Sequence, residues 1–231
     1  ASYPSTVLMN AIPAILAKVK KIIMATPIMN GKLNPGVIYA ANKCGIKDIY
    51  SIGGAQAVAA LAYGTNKVEK VNKVIGPGNI YVTAAKKEIF GDVGIDMLAG
   101  PSEITVVADK NSNPNWIAAD LISQAEHDKL SQSILISSTN KILKEVKKSI
   151  RQQLKNLPRK KIANFSLKNF GLFVKTTSIK KIVETVNIIA PEHLELNVSN
   201  YNKIKNKIFN AGSIFLGKYS SEAMGDYLAG P

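Results

Sequence analysis

The stretch EITVVADKNSNPNWIAADLISQAEHDKLSQSILISS, residues 103–138, places an amphipathic segment between two apolar ones. EITVVAD (103–109) and QSILISS (132–138) are short, apolar and bounded by polar turns, which predicts two strands. Between them, NPNWIAADLISQAEHD (113–128) predicts a helix, because Asn113 is suited to the N-cap and Pro114 to the first helical position. A strand, a helix and a second strand in this order are typical of an α/β protein with a parallel sheet.

Apolar strands and amphipathic helices alternate along the rest of the chain, at roughly the spacing of a doubly wound sheet. The pattern of predicted strands and helices starts anew near Pro101, so we expect a domain boundary near residues 100–110. The other predicted strands are residues 20–26, 48–54, 95–100, 171–176 and 213–217, and residues 72–79 are predicted to be a strand followed by a turn. The other predicted helices are residues 5–19 (with a kink or a new start at Pro13), 34–45, 55–64, 80–91, 140–157, 178–190 and 202–212. PEHLELNV (191–198) is predicted to be irregular.

The composition narrows the function classes. The chain has 231 residues, a net charge of +14 and a single cysteine, Cys44. A basic nucleic-acid-binding protein is one alternative, but only Arg151 and Arg159 are arginines and aromatic residues are few, which favours solvated surface lysines. No apolar run is long enough to span a membrane and no signal peptide is recognised. A single cysteine allows no disulfide framework, which fits a reducing cytoplasm. The first and last residues look cut, which predicts a fragment of a longer protein.

Two glycine-rich turns could contact a nucleotide. They are SIGGAQA (51–57) and VIGPGNIYV (74–82), and each precedes a predicted helix, whose N-terminus favours anions. Neither matches the dinucleotide or the phosphate-loop pattern, so the pattern alone favours tight turns of an α/β fold. Gln56 and Asn79 are the polar side chains placed to contact a bound nucleotide.

SQAEHDKL (123–130) raises the possibility of a metal site. Gln124 and His127 are three residues apart, so they share a helix face close to that of Leu121. Two ligands do not make a site and glutamine is an unusual zinc ligand, so a solvated helix end remains the alternative. Ser102, in the turn before the strand 103–109, is a candidate for hydrogen bonding to a substrate.

The second histidine lies in IIAPEHLELNV (188–198). Glu192 and His193 follow Pro191, which ends a helix, and we expect them on a short turn or a helix start. An adjacent carboxylate and imidazole could supply water activation and a general base near neutral pH. A helix start with a partly buried histidine is the other interpretation. Asp226, between glycine-containing turns, is a candidate metal ligand or a turn residue.

Seven stretches, in this order along the whole chain, resemble histidinol dehydrogenases: YPSTVLMNAIPA, GGAQAVAALAYGT, IGPGNIYV, GIDMLAGPSE, WIAADLISQAEHD, APEHLE and NAGSIFLG. The resemblance implies an NAD-dependent oxidation of L-histidinol to L-histidine in two steps through histidinaldehyde, at the end of histidine biosynthesis. It also implies Rossmann-like parallel-sheet domains with the architecture of aldehyde dehydrogenases. Residues 1–101 would be an inserted NAD-contacting domain, and residues 102–231 the second half of a larger zinc and substrate domain.

The same resemblance assigns roles to the candidate residues. Gln124, His127 and Asp226 would hold one zinc ion per subunit and meet the substrate through it, and Ser102 would contact the substrate directly. Gln56 and Asn79 would contact NAD. Glu192 would activate water, and His193 would bind substrate and act as general base. The full-length protein would be a homodimer, and this chain alone would be inactive because further ligands lie beyond its ends. The remaining alternatives are a decayed, non-catalytic chain and an aldehyde dehydrogenase that uses Cys44.

Overall fold

The computed structural model describes residues 3–28 and 31–225. The chain divides into two compact units, residues 1–99 and 100–231. Across the described residues, no helix is long and apolar enough to cross a membrane.

The first unit consists of helices and two short pairs of parallel strands, β1–β2 and β3–β4. Its elements are α1 (Pro4–Leu16), β1 (Ile23–Ala25), α2 (Pro35–Lys43), β2 (Asp48–Tyr50), α3 (Gly54–Tyr63), β3 (Lys73–Val74), α4 (Ile80–Ile89) and β4 (Gly94–Ile95). Helix α1 continues through Pro13 without a new start. The larger core of this unit contains Val58, Leu61 and Ala62 of α3 and Ile89 of α4, because these helices turn their apolar faces inward.

The second unit is built on five parallel strands in the order β7-β6-β5-β8-β9. Its strands are β5 (Glu103–Ala108), β6 (Gln132–Ser137), β7 (Leu172–Lys175), β8 (His193–Asn197) and β9 (Ser213–Leu216). Its helices are α5 (Pro114–His127), α6 (Asn140–Gln153), α7 (Lys160–Asn169), α8 (Ile179–Ile189) and α9 (Asn202–Lys205). The strand order reverses between β5 and β8, which is the arrangement of a doubly wound fold.

Helices cover both faces of this sheet. One core joins Ile104 and Val106 of β5 to apolar residues of α5, α6 and α7, and the other joins Val107 to residues of β8, α8 and α9. Strands buried on both faces are rich in apolar residues, and β5 and β6 each contain an uninterrupted apolar run, Val106–Ala108 and Ile134–Ile136. The α/β fold with parallel sheets is therefore confirmed.

Several element boundaries differ from those expected. PEHLELNV is not irregular, because β8 lies inside it and pairs with both β5 and β9. The predicted strand 95–100 extends only over Gly94–Ile95, since the Asp96 carboxylate instead accepts the N–H of Gly76 and binds Lys86. The helix expected at 140–157 ends at Gln153 and is followed by a single 3₁₀ turn, and α7 was not predicted.

The segment 202–212 is helical only at Asn202–Lys205. The side chain of Asn187 on α8 binds the residues that follow: its Nδ2 donates to the carbonyl of Lys207 and its Oδ1 accepts from the N–H of Phe209. One amide therefore provides the partners that helical hydrogen bonds would otherwise supply.

Candidate active site

The candidate residues of the second unit lie at the amino end of its sheet. Strand β5 begins at Glu103, directly after Ser102, and His193 pairs with Ile104 in the parallel register of β8. Helix α5 leads from the end of β5 back to the start of β6, so its last turn, with His127, lies toward the same amino end of the sheet. Ser102 is fixed there by its carbonyl, which accepts the N–H of Gln132 at 3.1 Å. The fold thus brings Ser102, Glu192 and His193 together.

At the opposite, carboxyl end of the sheet, backbone N–H groups bind the carboxylate of Asp109. The Asp109 carboxylate accepts the N–H of Ser199 at 2.7 Å and the N–H of Asn111 at 2.8 Å. Burial opposes ionisation of Asp109, but these hydrogen bonds lower its pKa overall. The usual ligand crevice of a doubly wound sheet lies at this end. Here the chemistry-bearing side chains are at the other end.

Glu192 bridges the first residues of β5 and β8. Its Oε2 accepts the N–H of Glu103 at 3.2 Å and lies 3.9 Å from Nδ1 of His193. Burial, together with the nearby negative charge of Glu192, raises the pKa of the Glu103 carboxyl. Glu192 is itself exposed, so its carboxylate can meet water.

Gly212 allows the chain to pack against the backbone of Glu192. A Cβ atom at this glycine would lie 2.6 Å from the carbonyl oxygen of Glu192, which is closer than side chains tolerate. The N–H groups of Gly212 and Ser213 donate to the carbonyls of Pro191 and Glu192. These contacts fix the position of Glu192 at the start of β8.

The hydrogen bond of His193 defines its tautomer. Nδ1 lies 3.0 Å from the carbonyl oxygen of Glu103, and a carbonyl can only accept, so Nδ1 carries the proton. In the neutral ring Nε2 therefore has the free lone pair. Nε2 lies 3.9 Å from Oε1 of Glu222, in a side chain that is partly exposed. The expectation that His193 lies on a turn or helix start is wrong, because it is the first residue of a central strand.

Three linked carboxyl groups, Glu195, Asp120 and Glu222, were missed by the sequence reasoning, and one of them, Glu222, approaches this imidazole. Glu195 is buried in the middle of β8, hydrogen bonds with the side chain of Asp120, and accepts the N–H of Glu222 at 2.8 Å. Burial raises the pKa of Glu195 to about 9 and that of Asp120 to about 6, so the folded chain holds a proton on this pair. The strict alternation of HLELN is that of a strand, but such a pattern predicts that Glu195 faces solvent, so it gave no signal of the burial observed.

Gln124 and His127 lie in the last two turns of α5. Gln124 is buried and His127 is exposed, and the backbone carbonyl of His127 accepts from Arg159 at 3.1 Å. Among residues 3–28 and 31–225 no three His, Cys, Asp or Glu side chains form a metal cluster. The third predicted ligand, Asp226, lies outside the described residues.

Gln56 and Asn79 belong to the first unit. Gln56 lies on α3 and lines a shallow apolar groove between α3 and α4, together with Tyr63 and Tyr81. The side chain of Asn79 caps α4 and accepts the N–H groups of Tyr81 and Val82, each at 3.1 Å. Asn79 thus has a structural task that the sequence reasoning did not foresee. Cys44 caps the C-terminus of α2.

Comparison with known proteins gives the family. The family model described as histidinol dehydrogenase matches residues 1–231. The histidinol dehydrogenase of Pelagibacter ubique is 63% identical over 231 residues, and that of Bacillus subtilis is 52% identical over 232 residues. Each alignment covers the whole of this chain but 54% of the relative. The chain therefore spans about half the length of the curated relatives it matches.

Solved structures agree with this result. The crystal structure of histidinol dehydrogenase from Elizabethkingia anophelis superposes with a TM-score of 0.92 at 47% identity, covering 98% of this chain and 53% of that one. An aldehyde dehydrogenase, PutA, from Anabaena variabilis has a TM-score of 0.51 at 11% identity, covering 82% of this chain and 55% of that one, which shows a shared fold alone. The aldehyde-dehydrogenase-like architecture is confirmed, and the chain belongs to the histidinol dehydrogenase family.

Proposed function

We propose that the protein containing this chain oxidises L-histidinol to L-histidine in two NAD-dependent steps, as the last part of histidine biosynthesis. Membership of the family supports this proposal. The structural observation that carries it is the hydrogen bond from Nδ1 of His193 to the carbonyl of Glu103, which leaves Nε2 free to take a proton. An alcohol and an aldehyde hydrate both require such a base when they lose a hydride.

In the first step, Nε2 of His193 removes the hydroxyl proton of histidinol while the carbinol carbon loses a hydride, which gives histidinaldehyde. Glu192, exposed beside His193, then directs a water molecule onto the aldehyde carbon. As the water adds, Glu192 takes its proton and His193 returns the first proton to the aldehyde oxygen, which restores the base. The resulting hydrate then loses a proton to His193 and a second hydride, and the carboxylic acid releases its proton to solvent to give the carboxylate of histidine. Keeping the reactive aldehyde bound between the two steps protects it from side reactions. Ser102, whose backbone is fixed at the same edge, would donate a hydrogen bond to the substrate.

The candidate residues offer the donor atoms and the surface that zinc and NAD require. Bound NAD would accept the hydride of each oxidation, and bound zinc would hold the imidazole and amine of the substrate without taking part in electron transfer. Gln124 and His127 offer an oxygen and a nitrogen donor near the end of one helix, and Asp226 would add a carboxylate. Gln56 borders an apolar groove with two tyrosines, a suitable surface for part of a nucleotide. We expect one zinc ion per subunit.

The remaining assignments follow from the same proposal. Residues 1–101 would be an inserted NAD-contacting domain, and residues 102–231 would be half of the zinc and substrate domain. The full-length protein would be a cytoplasmic homodimer that binds neither nucleic acid nor membrane. Because the chain spans about half of its relatives, we expect it to be inactive alone.

The test uses the full-length protein loaded with zinc. L-histidinol and NAD are added, reduction of NAD is followed by absorbance, and the product is identified by mass spectrometry. The proposal predicts two reduced cofactors for each L-histidine formed. Accumulation of the aldehyde with one reduced cofactor would contradict the two-step assignment. Turnover abolished by Cys44→Ser would instead favour an aldehyde dehydrogenase with a thiol nucleophile.

A further inference from the structure

A buried glutamate lies two residues from His193 on the same face of β8. Side chains alternate along a strand, so His193 and Glu195 point to the side of α5, whereas Leu194 and Leu196 join the core with α8 and α9. Glu195 is 1% exposed, although its neighbour in the sheet is Val106 of the apolar strand β5. An unpaired carboxyl group at this position would be strongly destabilising, so its partners must explain it.

The first partner lies on α5. Asp120, Gln124 and His127 are spaced by four and three residues, which places them along one stripe of that helix. The Asp120 side chain hydrogen bonds with Glu195. Two carboxyl groups can form such a bond only when one of them carries a proton, and this shared proton links α5 to β8.

The second partner is the backbone of the segment that returns to the site after β9. The N–H of Glu222 donates to Oε1 of Glu195 at 2.8 Å, and Glu222 begins a 3₁₀ turn, Glu222–Met224. The carboxylate of the same residue reaches to 3.9 Å from Nε2 of His193. The buried Glu195 carboxyl group therefore fixes the start of this turn. That turn places the Glu222 carboxylate near Nε2 of His193, the nitrogen that can take a proton.

Packing alone does not account for this arrangement. Replacing buried charged groups with apolar side chains of similar size is often neutral or stabilising, so the core does not require a glutamate here. The arrangement is explained if the position of Glu222 matters to the site. We propose that Glu195 is a positioning residue, which holds Asp120 and the 222–224 turn so that the Glu222 carboxylate stays at His193; the effect on turnover rests on the proposed function.

The test compares variants of the full-length enzyme. Glu195→Gln retains an oxygen for the N–H of Glu222 and gains an N–H for the carboxylate of Asp120. Glu195→Leu fills similar space and offers neither. Glu195→Asp keeps the carboxyl group, but its side chain is shorter by one methylene group. This variant tests the proposal if the leucine variant does not fold. Asn197→Leu, on the same strand and face but outside the carboxyl pair, is the matched control.

We expect Glu195→Leu to lower kcat by roughly 10- to 100-fold, since a displacement near 1 Å has such an effect, with a smaller change in KM for histidinol. Glu195→Asp should lose kcat similarly. Glu195→Gln and Asn197→Leu should stay within about threefold of the unmodified enzyme. A folded leucine or aspartate variant with unchanged kcat, or a glutamine variant as impaired as leucine, would overturn the proposal.

Crystal structures of the same variants separate this inference from the proposed function. If the unmodified enzyme does not oxidise histidinol, the proposed function fails, and the position of the 222–224 turn then decides about Glu195. A displaced turn in the leucine or aspartate variant, with the native position in the glutamine variant, would support the positioning role. An unmoved turn in all of them would contradict it.

Discussion

Nδ1 of His193 lies 3.0 Å from the backbone carbonyl oxygen of Glu103, so the first residue of one central strand is bonded to the first residue of its neighbour. This contact both orients the ring and determines which nitrogen is basic. A backbone acceptor does not change charge with pH, unlike the carboxylate that often has this role for catalytic histidines. The tautomer is thus set by the register of the sheet.

His193→Ala in the full-length protein should lower kcat by roughly 10²–10⁴-fold, because the general base is lost. His193→Asn should be equally impaired: its amide can still donate to the carbonyl of Glu103, but it cannot take a proton. Steady-state rates with L-histidinol measure both variants. A loss below about threefold in either would count against His193 as the base.

The zinc ligands can be tested without turnover. Gln124→Ala and His127→Ala should each lower zinc affinity by more than about tenfold, since each removes a donor. Glu126→Ala, on the same turn of α5 but outside the predicted set, is the control and should retain the metal. Zinc content after dialysis, measured by mass spectrometry, gives the result. Full zinc occupancy in both ligand variants would contradict the assignment.

The fold was predictable wherever local signals and burial agree. Asn113 and Pro114 begin α5 as predicted, and β5 and β6 have continuous apolar runs. Strand β8 was missed because two of its buried positions are Glu195 and Asn197. No local pattern reveals that Asp120 and Glu222 make a buried glutamate acceptable there.

The candidate site was predictable to a similar extent. The parallel pairing of β5 with β8 brings Ser102 beside Glu192 and His193 at the amino end of the sheet. The sequence could only suggest this proximity. The roles of Gln56 and Asn79 toward NAD and of Gln124, His127 and Asp226 toward zinc stay predictions. Asn79 shows why residue type is insufficient, since its side chain is already used to cap a helix.

Variants of Asn79 separate its capping role from a cofactor role. Asn79→Ala should destabilise the protein by about 1 kcal/mol, because the N–H groups of Tyr81 and Val82 lose their acceptor. Asn79→Ser keeps a capping oxygen and should restore stability. If Asn79 also contacts NAD, both variants should raise KM for NAD severalfold, as should Gln56→Ala. Melting temperatures and KM values measure the two effects, and a serine variant with native KM would leave Asn79 a capping residue only.

The buried acid pair predicts a pH dependence of stability. Burial raises the pKa of Glu195 from its ordinary value to about 9, so between about pH 4.5 and 9 the folded chain binds more protons than the unfolded chain. The contribution of Glu195 to the free energy of unfolding therefore falls as pH rises through this window, and the contribution of Asp120, with a pKa of about 6, has the same sign at lower pH. Glu195→Gln cannot ionise and should melt at a higher temperature than the unmodified protein at pH 8.5, with little difference at pH 5.

Glu184→Gln, on the exposed side of α8, is the control and should leave the pH dependence unchanged. A Glu195→Gln variant whose melting temperature follows that of the unmodified protein at every pH would show that Glu195 does not hold a proton in the folded state.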